Sequence, residues 1–224
     1  MKKLNLTSAV AAATIVMGAS FAPQVVQADV SATVGVSSMY LWRGQNLTPD
    51  GGQVHGSLDY TNKNGLYAGA WTSSEEGGHE TDLYIGFGGT AGEFSYDVSY
   101  WNYLYPENGT NVDLDKNDAA EVVLSGSYGP ISIGAYIQVD SDNADDNYYT
   151  VSGSFEKFTV LYGFWDKETA GANEYSHVTV SYAATDEISA SISFANNDSA
   201  DTAADAVEED PLFQIGYSKS FDLK

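Results

Sequence analysis

The sequence predicts an all-β fold, an antiparallel up-and-down transmembrane β-barrel of about 12 strands with short periplasmic turns and long acidic extracellular loops. Apolar residues recur at every second position in segment after segment, as in strands with one apolar face. Short and long connections alternate between these segments, and the apolar faces carry almost no charge. This combination is typical of a bacterial membrane barrel.

The N-terminus has the features of a signal peptide. Two lysines precede an apolar stretch at residues 4–21, and Val26-Gln27-Ala28 supplies small residues before a cleavage site. We therefore divide the chain into a signal peptide, residues 1–28, and an outer-membrane β-barrel, residues 29–224. An uncleaved helical anchor is the alternative, but the apolar run is short for a bilayer span.

The predicted strands follow from the two-residue period. Phe94, Tyr96 and Val98, for example, alternate with Ser95, Asp97 and Ser99. The twelve segments lie near residues 30–43, 53–61, 65–73, 81–89, 93–105, 119–128, 131–139, 147–155, 158–166, 175–183, 188–195 and 212–221. An even number of strands lets an antiparallel sheet close on itself.

The connections between the strands differ in length and charge. The short ones lie at residues 62–64, 90–92, 129–130, 156–157 and 184–187, and the longer ones at 44–52, 74–80, 106–118, 140–146, 167–174 and 196–211. Most of the 31 acidic residues fall in the longer connections. Their acidity indicates either a solvated surface or sites where divalent ions bridge to anionic lipopolysaccharide.

The outer face of the predicted strands separates a membrane barrel from a soluble sandwich, which would also alternate. Lys219 is the exception on apolar faces that are otherwise almost uncharged, and it lies near a strand end, where a long side chain can reach the interface. Aromatic residues flank the short turns on the apolar register, as in an interfacial girdle: Tyr60, Phe87, Phe94, Tyr128, Phe155, Phe158, Tyr182 and Phe221.

The inward register contains acids and aromatic rings. Arg43, the only arginine, is predicted to end the first strand, to face inward opposite Trp42, and to pair with a carboxylate such as Asp59 or Asp82. Such a pair either pins a loop or constricts a pore. The predicted pore-lining residues are Arg43, His55, Asp59, Tyr67, Trp71, Asp82, Tyr84, Asp97, Trp101, Glu121, Tyr136 and Trp165, with Gln53, Tyr103 and Gln138 as further inward positions. A lumen so lined favours cations or neutral solutes, unless the side chains simply fill it.

Composition and motifs restrict the function classes. A net charge of −22 repels nucleic acid, and the absence of cysteine excludes disulfides and thiol chemistry. The three histidines form no catalytic signature, so we predict that the protein is not an enzyme and that it uses no cofactor. No metal site is predicted either, because the calcium-loop-like starts at Asp113 and Asp140 lack the required glycine and the bidentate acid.

Several blocks of the sequence resemble one bacterial family. Residues 39–44 (MYLWRG), 56–60 (GSLDY), 65–71 (GLYAGAW) and 103–106 (YLYP) are similar to the opening blocks of the Gcw-type family of outer-membrane proteins, whose function is undefined. The resemblance implies a barrel in the bacterial outer membrane. Gln214, Gly216 and Phe221 also resemble an assembly signal for such barrels, although Lys219 departs from it.

These observations favour a narrow or gated outer-membrane channel for small neutral or cationic solutes. The alternative is a non-conducting surface or structural barrel whose acidic loops bind divalent ions, lipopolysaccharide or a partner. The expected partners are outer-membrane lipid and lipopolysaccharide, the barrel assembly machinery during biogenesis, and a small-molecule solute.

Overall fold

The computed structural model describes residues 29–49, 51–76, 78–105, 119–139, 146–167, 174–197 and 207–223. The predicted signal peptide, residues 1–28, lies outside the described residues. So do both calcium-loop-like segments and most of the longer connections.

The described chain is built of strands. They are β1 (Asp29–Ser37), β2 (Leu41–Trp42), β3 (Gln45–Asn46), β4 (Gln53–Thr61), β5 (Leu66–Glu75), β6 (Gly78–Ala91), β7 (Phe94–Leu104), β8 (Ala119–Tyr128), β9 (Ile131–Gln138), β10 (Asn147–Phe155), β11 (Phe158–Asp166), β12 (Tyr175–Ala183), β13 (Ile188–Asn197) and β14 (Leu212–Leu223). Strand β1 and strands β4 to β14 form one closed barrel, and β2 pairs only with β3. The predicted fold class and strand number are confirmed.

The barrel closes because β1 pairs on both sides. Val36 lies opposite Val54 of β4 and opposite Tyr217 of β14, and both pairings are antiparallel. No strand edge in the barrel is therefore left without a partner. The described residues include no helix long and apolar enough to cross a bilayer.

The two ends of the barrel differ. We call the end that carries the short turns, such as Gly129-Pro130, the turn end, and the opposite end the loop end. All eight aromatic residues predicted for a girdle are exposed near the turn end, up to 74% for Phe155. Lys219 lies beside them and forms an ion pair with Glu187 at 3.0 Å. The predicted aromatic girdle is thus present on the outer surface.

Exposure alternates along much of the barrel wall, most regularly in β6, β7, β11 and β13. The residues that point outward are largely Val, Leu, Ile, Phe and Tyr, whereas the buried side chains face the lumen and include many polar groups. Strand β13 shows this pattern, since Ser189, Ser191 and Ser193 are buried while Ile188 and Phe194 are exposed. A surface of this kind suits a nonpolar surrounding rather than water.

The structure differs from the sequence prediction at the loop end. The first strand ends at Ser37 rather than near residue 43, and residues 38–49 fold into the lumen. The predicted longer connection at 74–80 is mostly strand, since Glu75 pairs with Gly78 and His79 belongs to β6. The prediction missed both features because alternation alone does not mark where a strand begins or leaves the barrel wall.

Candidate functional site

The candidate site is the loop-end half of the lumen, which is occupied by the segment that we call the inner hairpin, residues 38–49. Leu41 pairs with Asn46 and Trp42 with Gln45, so two residues form the turn. Both turn residues have positive φ angles, 47° at Arg43 and 85° at Gly44. Such a turn matches the twist of a two-residue β-hairpin and favours glycine.

Gly44 is required for a second reason. A Cβ atom at this position would lie 2.7 Å from the Cβ and Cγ atoms of His177, in the wall strand β12. The turn therefore approaches the wall as closely as backbone atoms allow, and the preceding residue, Arg43, is carried to the tip of the hairpin.

Arg43 forms a buried ion pair across the lumen. Its Nη1 atom donates to Glu121 Oε1 at 2.9 Å and its Nη2 atom to Glu121 Oε2 at 2.6 Å. Only 4% of Arg43 is exposed. Burial alone would lower the pKa of the guanidinium, but the charge of Glu121 and its hydrogen bonds raise that pKa above its ordinary value. The guanidinium is therefore held in its charged, two-pronged geometry.

Four aromatic rings surround the same guanidinium. The Cζ atom of Arg43 lies 4.5 Å from the ring centroid of Trp42, 4.7 Å from Tyr136, 4.5 Å from Tyr148 and 4.8 Å from Trp165. These distances are within the range of cation–π attraction. We call these four rings together with the Glu121 carboxylate the cation cage.

Further contacts tie the inner hairpin to the wall. The Tyr40 hydroxyl donates to Glu80 Oε2 at 2.7 Å, and the Gln214 amide donates to the Met39 carbonyl at 2.7 Å. The Tyr175 hydroxyl donates to the Arg43 carbonyl at 3.0 Å. Burial and the neighbouring charge of Glu80 raise the pKa of Tyr40, which keeps its hydroxyl protonated as a donor.

The lumen holds more acids than bases. Among the described residues, Arg43 is the single buried Lys or Arg, whereas the buried carboxyl groups belong to Asp59, Glu80, Asp82, Asp97, Glu121 and Asp146. Asp82 is 2% exposed and its Oδ1 atom has no hydrogen-bond partner in the described residues. Two other acids are held by tyrosines, since Tyr84 donates to Asp59 and Tyr67 donates to Asp97 at 3.0 Å.

Small hydroxyl side chains line part of the turn-end half of the lumen. Cross-strand pairs include Thr33 with Ser220 at 2.8 Å and Ser181 with Ser191 at 3.0 Å. Because these side chains are short, they occupy less of the interior than the rings at the loop end. Larger side chains share this half of the lumen, since buried Tyr67 lies beside the turn at residues 62–64 and its hydroxyl donates to Asp97.

The buried histidine belongs to the same structure. His177 Nε2 lies 2.7 Å from the Tyr148 hydroxyl and His177 Nδ1 lies 3.0 Å from the Thr179 hydroxyl. Gly163 makes room for this pair, because a Cβ atom there would lie 2.6 Å from His177 Nε2. Both ring nitrogens are thus engaged in supporting the cage wall. No group of three or more His, Asp or Glu side chains in the described part of the chain is placed to hold a metal ion.

The structure places all twelve predicted pore-lining residues on the lumen side, buried or half-buried. They are Arg43, His55, Asp59, Tyr67, Trp71, Asp82, Tyr84, Asp97, Trp101, Glu121, Tyr136 and Trp165. Their role in lining a conducting path stays a prediction. The cage brings together Arg43, Glu121, Tyr136 and Trp165.

Two details predicted for Arg43 are wrong. Its partner is Glu121 rather than Asp59 or Asp82, because the inner hairpin carries Arg43 to the opposite wall. Trp42 does not oppose Arg43 across a strand, since its ring lies against the guanidinium. The sequence prediction did not include Tyr40, Tyr148 or Glu80 among the site residues. Alternation along β10 and β6 could have identified Tyr148 and Glu80 as inward-facing residues.

Fold and site together define a class of protein, a closed twelve-stranded barrel with an apolar outer surface and an inward-folded hairpin at one end. A family model described as a bacterial protein of unknown function (Gcw_chp) matches residues 22–186. The chain belongs to this family, as its opening blocks indicate.

Solved structures that are similar to the chain are barrels as well. One is a KdgM porin, with a TM-score of 0.49 and 10% identity over 87% of this chain and 99% of that chain. Another is outer membrane phospholipase A from Escherichia coli, with a TM-score of 0.44 and 10% identity over 96% of this chain and 97% of that chain. No curated protein matches the sequence.

Proposed function

We propose that the protein is an outer-membrane channel for small neutral or cationic solutes, held here in a closed conformation by the inner hairpin. The observation that carries the proposal is that the loop-end half of the lumen is occupied by a separate segment, the inner hairpin. Strands β2 and β3 of this segment pair only with each other, and the barrel around them is closed without them. A barrel that needs no plug for closure and nevertheless contains one has the architecture of a gated pore.

The membrane placement is supported by the outer surface. The apolar band and the aromatic girdle at the turn end match the two features that lipid contact requires. We propose that the turn end faces the periplasm and that the acidic loop end faces lipopolysaccharide. The last strand, β14, with Gln214, Gly216 and Phe221, is the segment we propose for recognition by the barrel assembly machinery.

The solute preference is supported by the charge of the lumen. Glu80, Asp82 and Glu121 lie at the loop end with a single guanidinium between them, and Asp59 and Asp97 continue the acidic lining toward the turn end. Fixed carboxylates attract cations and repel anions in a confined lumen. The hydroxyl groups of the turn-end half suit the passage of neutral polar solutes. The Arg43 contacts and the engaged ring nitrogens of His177 also favour a structural rather than a catalytic role for this site.

One observation favours the alternative of a non-conducting barrel. The inner hairpin is bonded to β6, β8, β12 and β14 through Glu80, Glu121, Tyr175 and Gln214, which is a large set of contacts for a gate. If these contacts never release, the protein is a surface or structural barrel whose acidic loop end binds divalent ions, lipopolysaccharide or a partner.

Solute uptake into liposomes tests the two functions. Refolded protein, residues 29–224, is compared with a variant in which residues 39–48 are replaced by a short Gly-Ser linker, using a neutral sugar, a small cation and a small anion of similar size. We expect the variant to admit sugar and cation at least about ten times faster than the unmodified chain, with the anion excluded.

The matched control carries glycines in place of Asn62, Lys63 and Asn64, a turn-end change that leaves the hairpin intact. Folding of each variant is verified by its heat-dependent migration in SDS gels. A folded variant without the inner hairpin that admits none of the three solutes would overturn the channel and leave the non-conducting barrel.

A further inference from the structure

We propose that the cation cage is a binding site for guanidinium-type organic cations, and that Arg43 is a tethered occupant which such a solute displaces. The inference rests on the proposed channel function, because it names the solute class that the lumen selects. It assigns Arg43 the role of an internal competitor rather than a permanent structural pin.

The cage belongs mainly to the barrel wall. Tyr136 of β9 lies directly opposite Tyr148 of β10, and Tyr148 lies directly opposite Trp165 of β11. The carboxylate comes from Glu121 on β8, the next strand in the wall. Four consecutive strands thus present three rings and one carboxylate in fixed register, and only Trp42 comes from the inner hairpin. Withdrawal of the hairpin leaves these wall groups in place.

The chemistry of the cage selects a planar cation with parallel donors. Both oxygens of Glu121 accept from Arg43, at 2.9 and 2.6 Å, and this two-pronged geometry is specific for a guanidinium. An ammonium group offers a compact point charge and lacks the planar pair of parallel donors that matches both carboxylate oxygens. A neutral urea has the planar shape but lacks the charge that the ring faces and the carboxylate attract.

The inner hairpin holds Arg43 in the cage, so a free solute must compete with Arg43 for the same site. A side chain on a short flexible linker competes at an effective concentration in the millimolar range, and the hairpin's other bonds to the wall add to this competition. A guanidinium solute must therefore reach at least the millimolar range in the lumen to exchange with Arg43. Exchange removes the ion pair that holds the hairpin tip, so occupancy of the cage and opening of the hairpin are linked.

Removal of the tethered occupant tests the site directly. Arg43→Ala protein in detergent is titrated with methylguanidinium, methylammonium and methylurea. Binding is followed by calorimetry and by tryptophan fluorescence, to which Trp42 and Trp165 of the cage contribute. We expect saturable binding of methylguanidinium in the millimolar range or tighter, at least about ten times weaker binding of methylammonium, and none of methylurea. The unmodified protein should bind methylguanidinium at least about ten times more weakly than Arg43→Ala.

The matched control is Arg43→Ala combined with Glu121→Gln, which keeps the rings and removes the carboxylate charge. Loss of methylguanidinium binding in this double variant supports the site. Equal affinity in the two variants, or equal affinity for methylguanidinium and methylammonium, would overturn it. If Arg43→Ala does not fold, Arg43→Gln serves as the second variant, since its neutral amide retains part of the side-chain volume.

The binding assay does not depend on transport. Binding without solute uptake in the liposome experiment would contradict the channel and leave the cage assignment standing. Uptake without binding to the Arg43→Ala cage would do the reverse.

Discussion

The buried pair of Arg43 and Glu121 allows a quantitative prediction from a double-mutant cycle. The two single changes are Arg43→Met, which leaves an apolar side chain against the four rings, and Glu121→Gln, which keeps the shape of the acceptor. The third protein carries both changes. Each single change leaves one buried charge without its partner, whereas the double change leaves none.

The structure gives the expected magnitudes. Two unit charges about 4 Å apart attract by about 4 kcal/mol at the effective dielectric constant of 20 that suits protein sites. Breaking a buried pair on one side costs about 3 to 5 kcal/mol because the remaining charge stays desolvated. After Arg43→Met, the Tyr103 hydroxyl, 2.8 Å from Oε2, is the one remaining donor to Glu121 among the described residues. We therefore expect each single variant to lose about 3 kcal/mol of unfolding free energy.

The double variant should lose much less than the sum of the two. Methionine packs well against aromatic rings, and a neutral glutamine has no charge to desolvate. We expect a loss of about 1 to 2 kcal/mol and hence a coupling energy of several kcal/mol. Urea unfolding of the refolded barrel, followed by tryptophan fluorescence and linear extrapolation, measures all four proteins. Losses that add to within about 0.5 kcal/mol would refute the reasoning, because they would show that the two charges do not depend on each other.

Three further predictions follow from the hairpin, the outer surface and the buried phenol. Gly44→Ala should lower the free energy of unfolding by about 2 to 4 kcal/mol in the same urea assay, because an alanine in the left-handed conformation costs about 1 to 2 kcal/mol and its Cβ atom clashes with His177. Gly51→Ala is the control and should change little, because a Cβ atom there meets nothing within 4 Å. Ile85→Lys, in the middle of β6 on the exposed apolar face, should lower the free energy of unfolding in lipid vesicles by about 2 to 4 kcal/mol. Asn64→Lys, in a turn, should change it little. Equal effects of the two changes would contradict the lipid-facing assignment. The pKa of Tyr40 is raised in the folded protein, so the contribution of Tyr40 to stability is complete below the unfolded pKa of about 10 and is lost as the pH rises above that value. The urea midpoint should therefore fall between about pH 9 and 11, and Tyr40→Phe should reduce that fall. An unchanged fall in this variant would count against ionisation of the Tyr40 phenol as the cause.

The barrel wall was predictable from the sequence because its two faces meet different surroundings. An apolar outer face and a polar lumen impose a two-residue period, and a slip by one residue would reverse every side chain. The predicted strand at 188–195 therefore matches β13 closely. The same reasoning predicts that Tyr136 and Trp165 lie on the lumen side, where the structure has Tyr136 half-buried and Trp165 buried.

The inner hairpin was not predictable in the same way. Strands β2 and β3 are extended, and Tyr40, Leu41 and Trp42 are residue types common in strands, so the apparent first strand runs on through them. The local signal is the turn at Arg43-Gly44, which needs two positive φ angles but has arginine in place of the usual Asn or Asp. The partner of Arg43 depends on how deeply this hairpin enters the lumen. Glu121 lies 78 positions away along the chain, and nothing in the local sequence relates the two residues.

If the inner hairpin acts as the proposed gate, its separation from the barrel wall determines which interactions opening would break. The barrel is closed by β1 pairing with β4 and β14, so release of the hairpin breaks none of the ladders that hold the wall. Release breaks the Arg43 ion pair, the Tyr40 bond to Glu80 and the bonds to Met39 and Arg43 carbonyls. The largest electrostatic cost is the unpaired Glu121, because a buried carboxylate without a counter-charge is strongly unfavourable. Under the proposed channel function, a cationic solute in the cage would replace that counter-charge, whereas an anion or a neutral solute would not. The residue that closes the lumen would then also make its opening depend on a cation.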